Sequence, residues 1–319
     1  TGHSYVDWGD FAKVKRIEGG LLGAEIIPDQ TAGLYKIGKI YDSENWNNNR
    51  RSPLHDIGVN VKEGDYILSI GGRKLTLKDN PYEFLENSAN KNIELEVNSK
   101  PEANGSRIET IKPIKSEHEL MYLDWVNERR ALVDKLSGGR IGYIHVPNTA
   151  VEGNRELFRG MYAYHDKEAL IIDDRYNGGG FIPDRMADLL DRKTLSYWYR
   201  NGLQPGAAPG IAHDGPKAML INGYSSSGGD AFPYYFKKLG LGKLIGTRTW
   251  GGLIGISRNA GLVDGGYISV PQFGIFDENE HWIIEGIGVY PDIEVIDRPE
   301  QDEHQDGALG YFVPRAPHG

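Results

Sequence analysis

Three consecutive serines, Ser225, Ser226 and Ser227, stand between a short apolar run at 218–221 and a segment of helix length at 230–239. The run is bounded by turn residues and reads as a buried strand. The segment after it ends on Gly240 and accommodates Pro233 only within a first helical turn. The serines therefore fall on a strand-to-helix turn, where amides without intrahelical partners and the positive end of the helix dipole face whatever the turn presents. Acyl-transfer enzymes expose a serine beside an oxyanion hole in this way. The same residues would also make a Ser/Gly connector with Asp230 as helix cap. A second amide-rich turn, Asn177-Gly178-Gly179-Gly180, follows another apolar run, Ala169–Asp173, and its glycine spacing does not fit a dinucleotide fingerprint. His145, His165 and His213 lack metal-ligand spacing such as His-Glu-x-x-His and read as strand, helix-end and loop residues, so neither metal nor cofactor is expected. His3, close to the N-terminus, reads from its position alone as a frayed surface residue.

The elements that must carry these turns alternate. Strands are predicted at 140–146, 169–173 and 196–199, with helices at 155–165 and 183–190 between them, ahead of the serine segment. Such alternation predicts an α/β core with parallel pairing, and catalytic loops in such cores follow the carboxyl ends of strands. Both the glycine turn and the serine turn do so, each leading into a helix, which would bring two sets of backbone amides side by side.

Upstream lies a β-rich module, at about 19–114, with a predicted strand at 36–41, a loop opening at Ser52-Pro53-Leu54 and a hairpin tip at 101–106. Its most telling part is Gly64-Asp65-Tyr66-Ile67-Leu68-Ser69-Ile70-Gly71-Gly72: a turn, a strand, and a glycine pair that bends the chain into the next strand. These residues resemble the PDZ family, whose signature is Gly-Asp-x-(Ile/Leu)-Leu-x-(Ile/Val)-(Asn/Gly)-Gly. The resemblance implies a groove in which the extended C-terminus of a peptide adds a strand, with its carboxylate received by the amides of a glycine-rich loop. Gly20, Leu21, Leu22 and Gly23 are the equivalent loop here, and a spacer domain with a closed groove is the other reading. A helix at 116–136, with Leu120, Leu123 and Val126 on one side, connects this module to the α/β core.

Composition is that of a globular protein: 319 residues, 39% hydrophobic and 25% charged. A net charge of −9, an isoelectric point near 5.5 and the lack of a basic run argue against a nucleic-acid partner. The absence of cysteine excludes disulfides, thiolate catalysis and cysteine-ligated zinc. No membrane-spanning or signal pattern is present, so no membrane partner is expected. The opening Thr-Gly-His without a methionine reads as a processed or excised piece.

In order along the chain come a PDZ module, a strand ending in Asp173-Asp174-Arg175-Tyr176-Asn177-Gly178-Gly179-Gly180, a strand ending in the serine turn, and Gly246-Thr247-Arg248-Thr249-Trp250-Gly251-Gly252. This order resembles the C-terminal half of the tricorn protease family, which is similar to the C-terminal processing peptidases. Processing peptidases take a lysine as general base in a (Phe/Trp)-Gly-Lys-Gly setting, and here that slot reads Trp250-Gly251-Gly252-Leu253, with no group to accept a proton. The tricorn branch uses a histidine. The resemblance implies an α/β catalytic core of the processing-peptidase, crotonase-like type with a β-rich PDZ domain. It implies Ser227 as nucleophile, from its place ahead of Gly229-Asp230-Ala231-Phe232, and His3 as base, from its Gly-His-Ser-Tyr setting. Glu285, within Ile283-Ile284-Glu285-Gly286-Ile287-Gly288, would complete the relay, and the amides of Gly228 and Gly180 would form the oxyanion hole. The family usually has a serine before the histidine, and this chain has Gly2. Large upstream propeller and helical domains of the family are absent from this sequence, so it is either an excised half or a short form.

The expected organisation is an N-terminal segment at 1–18 carrying the histidine, a PDZ-like domain at 19–115, a catalytic core at 116–300 and a tail at 301–319. The expected function is serine-type hydrolysis of oligopeptides or unfolded proteins, by a homo-oligomer, in the cytoplasm or alternatively the periplasm. The competing reading is a catalytically silent, PDZ-bearing peptide-binding protein on a peptidase scaffold.

Overall fold

The computed structural model describes residues 2–7, 9–10, 17–257 and 261–296. The expected tail at 301–319 lies outside them, as do parts of the expected N-terminal segment. The chain divides into two compact units, one of Thr1–Ala12 with Arg129–Gly319 and one of Lys13–Glu128.

A short strand β1 (Tyr5–Asp7) opens the first unit. The second unit holds β2 (Ala24–Asp29), β3 (Leu34–Ile40), β4 (Tyr66–Ile70), β5 (Arg73–Lys74), the short helix α1 (Pro81–Phe84), β6 (Ile93–Asn98) and β7 (Arg107–Ile111). Its sheet runs in the order β2-β3-β4-β6-β7, with β5 paired to β4, and every pairing is antiparallel. Alternation on β6 and the register shift between Ile67 and Ser69 on β4 place Ile67, Ile70, Leu95 and Val97 in one core with Leu22, Ile37 and Leu85. The Gly-Asp turn has a further reason: Asp65 is buried, accepts the Lys62 amide at 2.7 Å and pairs with Arg107, which ties the turn to β7.

Helix α2 (His118–Ser137) carries the chain onward, with Leu120, Leu123, Val126 and Val133 buried. Then come β8 (Ile141–His145), α3 (Val151–Ala163), β9 (Ala169–Asp173), α4 (Pro183–Asp191), the ribbon strands β10 (Ser196–Trp198) and β11 (Gly206–Ala208), and β12 (Lys217–Ile221). The chain continues through α5 (Gly228–Lys238), β13 (Gly242–Gly246), β14 (Ile254–Ser257), β15 (Tyr267–Gly274) and β16 (Ile293–Glu294). The central sheet, ordered β16-β13-β12-β9-β8, is parallel throughout. Strands β8, β9 and β12 are buried along their whole length, which is why they read as continuous apolar runs rather than as alternating ones. Helices α3, α4 and α5 contribute Leu157, Met161, Met186, Leu190, Phe232 and Phe236 to this core.

Three expectations need correction. The segment at 196–199 is not a core strand: β10 pairs antiparallel with β11 in an exposed ribbon. Helix α5 begins at Gly228 rather than 230, so Pro233 sits inside it rather than in its first turn, and Asp230 is not its cap. Helix α3 begins at Val151 rather than 155, because Asn148 accepts the amides of Ala150 and Gly153, each at 3.0 Å, and so starts the helix a turn earlier. A third, short sheet, β1-β15-β14, binds the N-terminal segment: Tyr5 pairs with Ser269 and Asp7 with Tyr267.

Candidate active site

Strands β9 and β12 are parallel neighbours, so the turns that follow them emerge side by side. Ser227 is the last residue before α5 and holds φ 56° and ψ −115°. A non-glycine residue there stores about 1–3 kcal/mol of strain, which the surrounding structure must impose. Ser225 Oγ is buried and donates to the Asp174 carbonyl at 2.8 Å, and Ser226 Oγ donates to the Asn177 carbonyl at 3.3 Å. Those two hydroxyls fasten the serine turn to the glycine turn. The Ser227 carbonyl accepts the Asp230 and Ala231 amides at 2.9 and 3.1 Å, and its hydroxyl has no partner among the described residues.

The glycines are required by close approach. A Cβ on Gly179 would stand 2.8 Å from Ser227 Cβ and 3.1 Å from the Gly228 nitrogen, and a Cβ on Gly228 would stand 2.8 Å from the Gly180 nitrogen. The Ser226 amide donates to the Asn177 carbonyl and the Thr149 amide to the Gly179 carbonyl, each at 2.9 Å, which locks the two turns together. Among the described residues neither the Gly228 nor the Gly180 amide donates to an acceptor. Two adjacent open donors beside a strained serine can hold an oxyanion.

Beneath the turns lies a buried polar base. Burial would raise the Asp173 carboxyl, but the charge and hydrogen bonds of Arg175, joined by the Tyr143 hydroxyl at 2.7 Å, hold it below the usual range. The fully buried Asp174 has no such cation and is pushed well above the usual carboxylate range by burial, although the Asn177 amide donates to it at 2.8 Å. His145 Nε2 lies 2.9 Å from the Arg175 carbonyl, and burial pushes its imidazole down. His213 Nε2 is 2.9 Å from the Lys167 carbonyl and His165 Nδ1 is 2.9 Å from the Tyr162 carbonyl. Among the described residues no group of three or more acidic or histidine side chains is arranged to hold a metal.

Asp230 has a larger role than its place in the sequence suggests. Its buried carboxylate accepts Thr249 Oγ1 at 2.5 Å, the Gly251 amide at 2.7 Å and the Gly252 amide at 3.4 Å, while burial pushes its pKa up. Helix α5 thus holds the segment 249–252 in place, and the other candidate site residues gather around that segment. The Trp250 amide donates to the Ser225 carbonyl at 3.0 Å. Its indole meets the His3 ring edge-on, with centroids 5.2 Å apart. On the far side, the Gly286 amide next to Glu285 donates to the Gly251 carbonyl at 2.7 Å. Glu285 Oε2 is buried without a hydrogen-bond partner among the described residues.

His3 is buried rather than frayed. Ser269 anchors it from both sides, accepting the Tyr5 amide at 2.9 Å and donating to the His3 carbonyl at 3.3 Å, and Tyr5 Oη lies 3.4 Å from His3 Nδ1. The glycine at position 2 also has a structural cause. A Cβ there would come within 2.8 Å of the Trp250 ring, so the indole fills the space of a side chain at that position. The same indole blocks residue 252, where a Cβ would come within 2.6 Å of it. A side chain at residue 252 requires the Trp250 ring to turn aside.

Tyr176 and Tyr224, both exposed, stack with centroids 5.4 Å apart at the carboxyl ends of β9 and β12, and Asn222 Oδ1 accepts both of their amides at 3.1 Å. The sequence reading missed this pair, although each residue adjoins one of the two turns. In the second unit, the expected peptide-receiving loop Gly20-Leu21-Leu22-Gly23 leads into the terminal strand β2, and its Gly23 amide donates to Glu117 Oε1 at 2.7 Å.

Comparison with known proteins agrees with this architecture. Residues 20–116 match the tricorn protease PDZ domain family and residues 140–295 match peptidase family S41. A tricorn protease homolog of Saccharolobus solfataricus is 37% identical over 300 residues, which is 94% of this chain and 28% of the relative. A putative tricorn-like protease C-terminal subunit of Sulfurisphaera tokodaii is 36% identical over 301 residues, 94% of this chain and 34% of the relative. The crystal structure of the tricorn protease superposes with a TM-score of 0.89 at 30% identity, covering 98% of this chain and 30% of that one. The chain spans about a third or less of the length of these relatives. With a tricorn-type PDZ domain followed by an S41 peptidase core in one chain, the protein belongs to the tricorn protease family.

Proposed function

We propose that this chain hydrolyses peptide bonds as a serine peptidase, with Ser227 as nucleophile, His3 as general base and Glu285 orienting the histidine. The observation that carries the reading is the strained Ser227 at the head of α5, with the open amides of Gly228 and Gly180 packed against each other beside it. Ser227 Oγ attacks the scissile carbonyl carbon and passes its proton to His3, and the two amides bind the oxygen that becomes negative. The imidazolium then gives the proton to the leaving amine as the C–N bond breaks. Water repeats the sequence on the acyl-serine. In this reading Nδ1, 3.4 Å from the Tyr5 hydroxyl, is the nitrogen on the orienting side of the relay, and Nε2 serves Ser227.

Substrates in this reading are oligopeptides or unfolded segments. The exposed Tyr176–Tyr224 pair offers an apolar face for a substrate side chain near the serine turn. The test is labelling by a fluorophosphonate probe together with peptide hydrolysis in Ser225→Ala, Ser226→Ala and Ser227→Ala. Loss of both signals in Ser227→Ala alone is expected. Retention of labelling in Ser227→Ala, or its transfer to Ser226, overturns the assignment.

A further inference from the structure

The loop at 20–23 is built as a carboxylate receptor, and a carboxylate already fills it. The Gly23 amide donates to Glu117 Oε1 at 2.7 Å, where the loop turns into β2. An amide of a glycine-rich loop on a carboxylate is the arrangement that would hold the C-terminus of a peptide extended along β2. Strand β2 is the terminal strand of its sheet, pairing with β3 on one side and with no other strand among the described residues.

Glu117 does not occupy the loop by chance of sequence proximity, since more than ninety positions separate it from Gly23. It is delivered there: Leu21 and Ile114 exchange both backbone hydrogen bonds, at 2.8 and 3.0 Å, so the segment leading to Glu117 is stitched along the loop. Glu117 directly precedes α2, but its side chain turns away from that helix, whose first amide takes Ser116 Oγ at 3.3 Å instead. No lysine or arginine among the described residues pairs with it, so the loop backbone alone meets its charge. Leu120 on α2 closes over the site, 3.1 Å from where a Cβ of Gly23 would stand.

We infer that Glu117 is an internal mimic of a C-terminal carboxylate, and that a peptide binds this PDZ domain through its own C-terminal carboxylate only by displacing Glu117. Tethered to the loop, Glu117 is present at high effective concentration, and the apparent affinity for peptide is lowered by the fraction of time it leaves the nest. Displacement also frees the residue at the head of α2, the helix that leads from one unit into the other. Burial pushes the Glu117 carboxyl up, and protonating it would remove the charge that the Gly23 amide receives.

The test is fluorescence anisotropy on the full chain in a Ser227→Ala background, with peptide integrity checked by mass spectrometry. The probes are a fluorescein-labelled hexapeptide ending in leucine with a free carboxylate, because Leu22, Ile26 and Leu85 near the loop are apolar, and the same peptide as its C-terminal amide. Glu117→Ala is expected to bind the free-carboxylate peptide at least about tenfold more tightly than the parent, with Glu117→Gln between them and the amide peptide unchanged. A parallel gain for the amide peptide, equal affinity in parent and variants, or no binding by any of them overturns the inference. Should Glu117→Ala lose its folded circular dichroism spectrum, Glu117→Gln carries the decision, and a Glu117→Gln affinity equal to the parent's overturns the inference.

Discussion

Replacing Gly180 by alanine tests the oxyanion hole directly. A Cβ at residue 180 would run into the Thr149 carbonyl and come within 2.8 Å of the Ala150 nitrogen, and the backbone sits at φ +147°. Thr149 cannot yield: its amide donates to the Gly179 carbonyl at 2.9 Å and its carbonyl accepts the Ile182 amide at 3.1 Å. The adjustment therefore falls on residue 180 itself, by on the order of an ångström to restore ordinary carbon contacts of about 3.5 Å. Oxyanion donors work over a window of about 2.7–3.1 Å, so such a shift removes the donor, worth roughly 10²–10³ in kcat or about 2.7–4 kcal/mol. The donor acts on charge that exists only in the transition state, so KM should hardly change. The unfavourable backbone angle should separately lower stability by about 1–2 kcal/mol. Gly178→Ala is the control, since a Cβ there meets nothing within 4 Å. The assay is kcat and KM for hydrolysis of a quenched fluorescent peptide, with folding verified by circular dichroism. Gly180→Ala keeping kcat within about fivefold of the parent, or Gly178→Ala falling as far, would refute the reasoning.

Three further outcomes are expected. Deleting Thr1 to Ser4 should lower turnover by about a hundredfold or more with the core intact, because the segment adds no residue to either hydrophobic cluster yet supplies His3; unchanged turnover would hand the base role to another residue. Glu285→Gln should lower kcat by about tenfold or more with a small effect on KM, and equal kcat in the variant would reduce Glu285 to a turn residue. Asp174 has a folded-state pKa raised above its ordinary 3.8 by burial, so its contribution to stability is complete below pH 3.8 and is lost as pH rises through the folded value. Asp174→Asn should flatten the fall of the unfolding midpoint with rising pH, and parallel curves for parent and variant would show that Asp174 does not titrate on unfolding.

The sequence made the local features legible and concealed the long-range ones. Strand β4 could be read residue for residue from its Gly-Asp turn and glycine pair, and β9 and β12 from their unbroken apolar runs. The proximity of the glycine and serine turns followed from parallel neighbouring strands. Helix α5 was hidden at its start because two glycines are poor helix formers, and close packing rather than propensity keeps them there: a Cβ on Gly229 would stand 2.8 Å from the Asn177 carbonyl. The grip of Asp230 on Thr249, Gly251 and Gly252, and that of the Gly23 amide on Glu117, span stretches of chain over which no periodicity or capping pattern carries information. The glycines of the 20–23 loop stood out in the sequence, but the contact of Glu117 with Gly23 did not.

The Trp250 indole has a consequence for how such sites can diverge. It occupies the space of a side chain at residue 2 and at residue 252 alike, so a serine before the histidine or a lysine at residue 252 requires the ring to turn aside. That turn would also change the ring's edge-on contact with His3. A substitution at either glycine is therefore felt at the other and at the histidine, and positions far apart in the sequence are coupled through one aromatic residue.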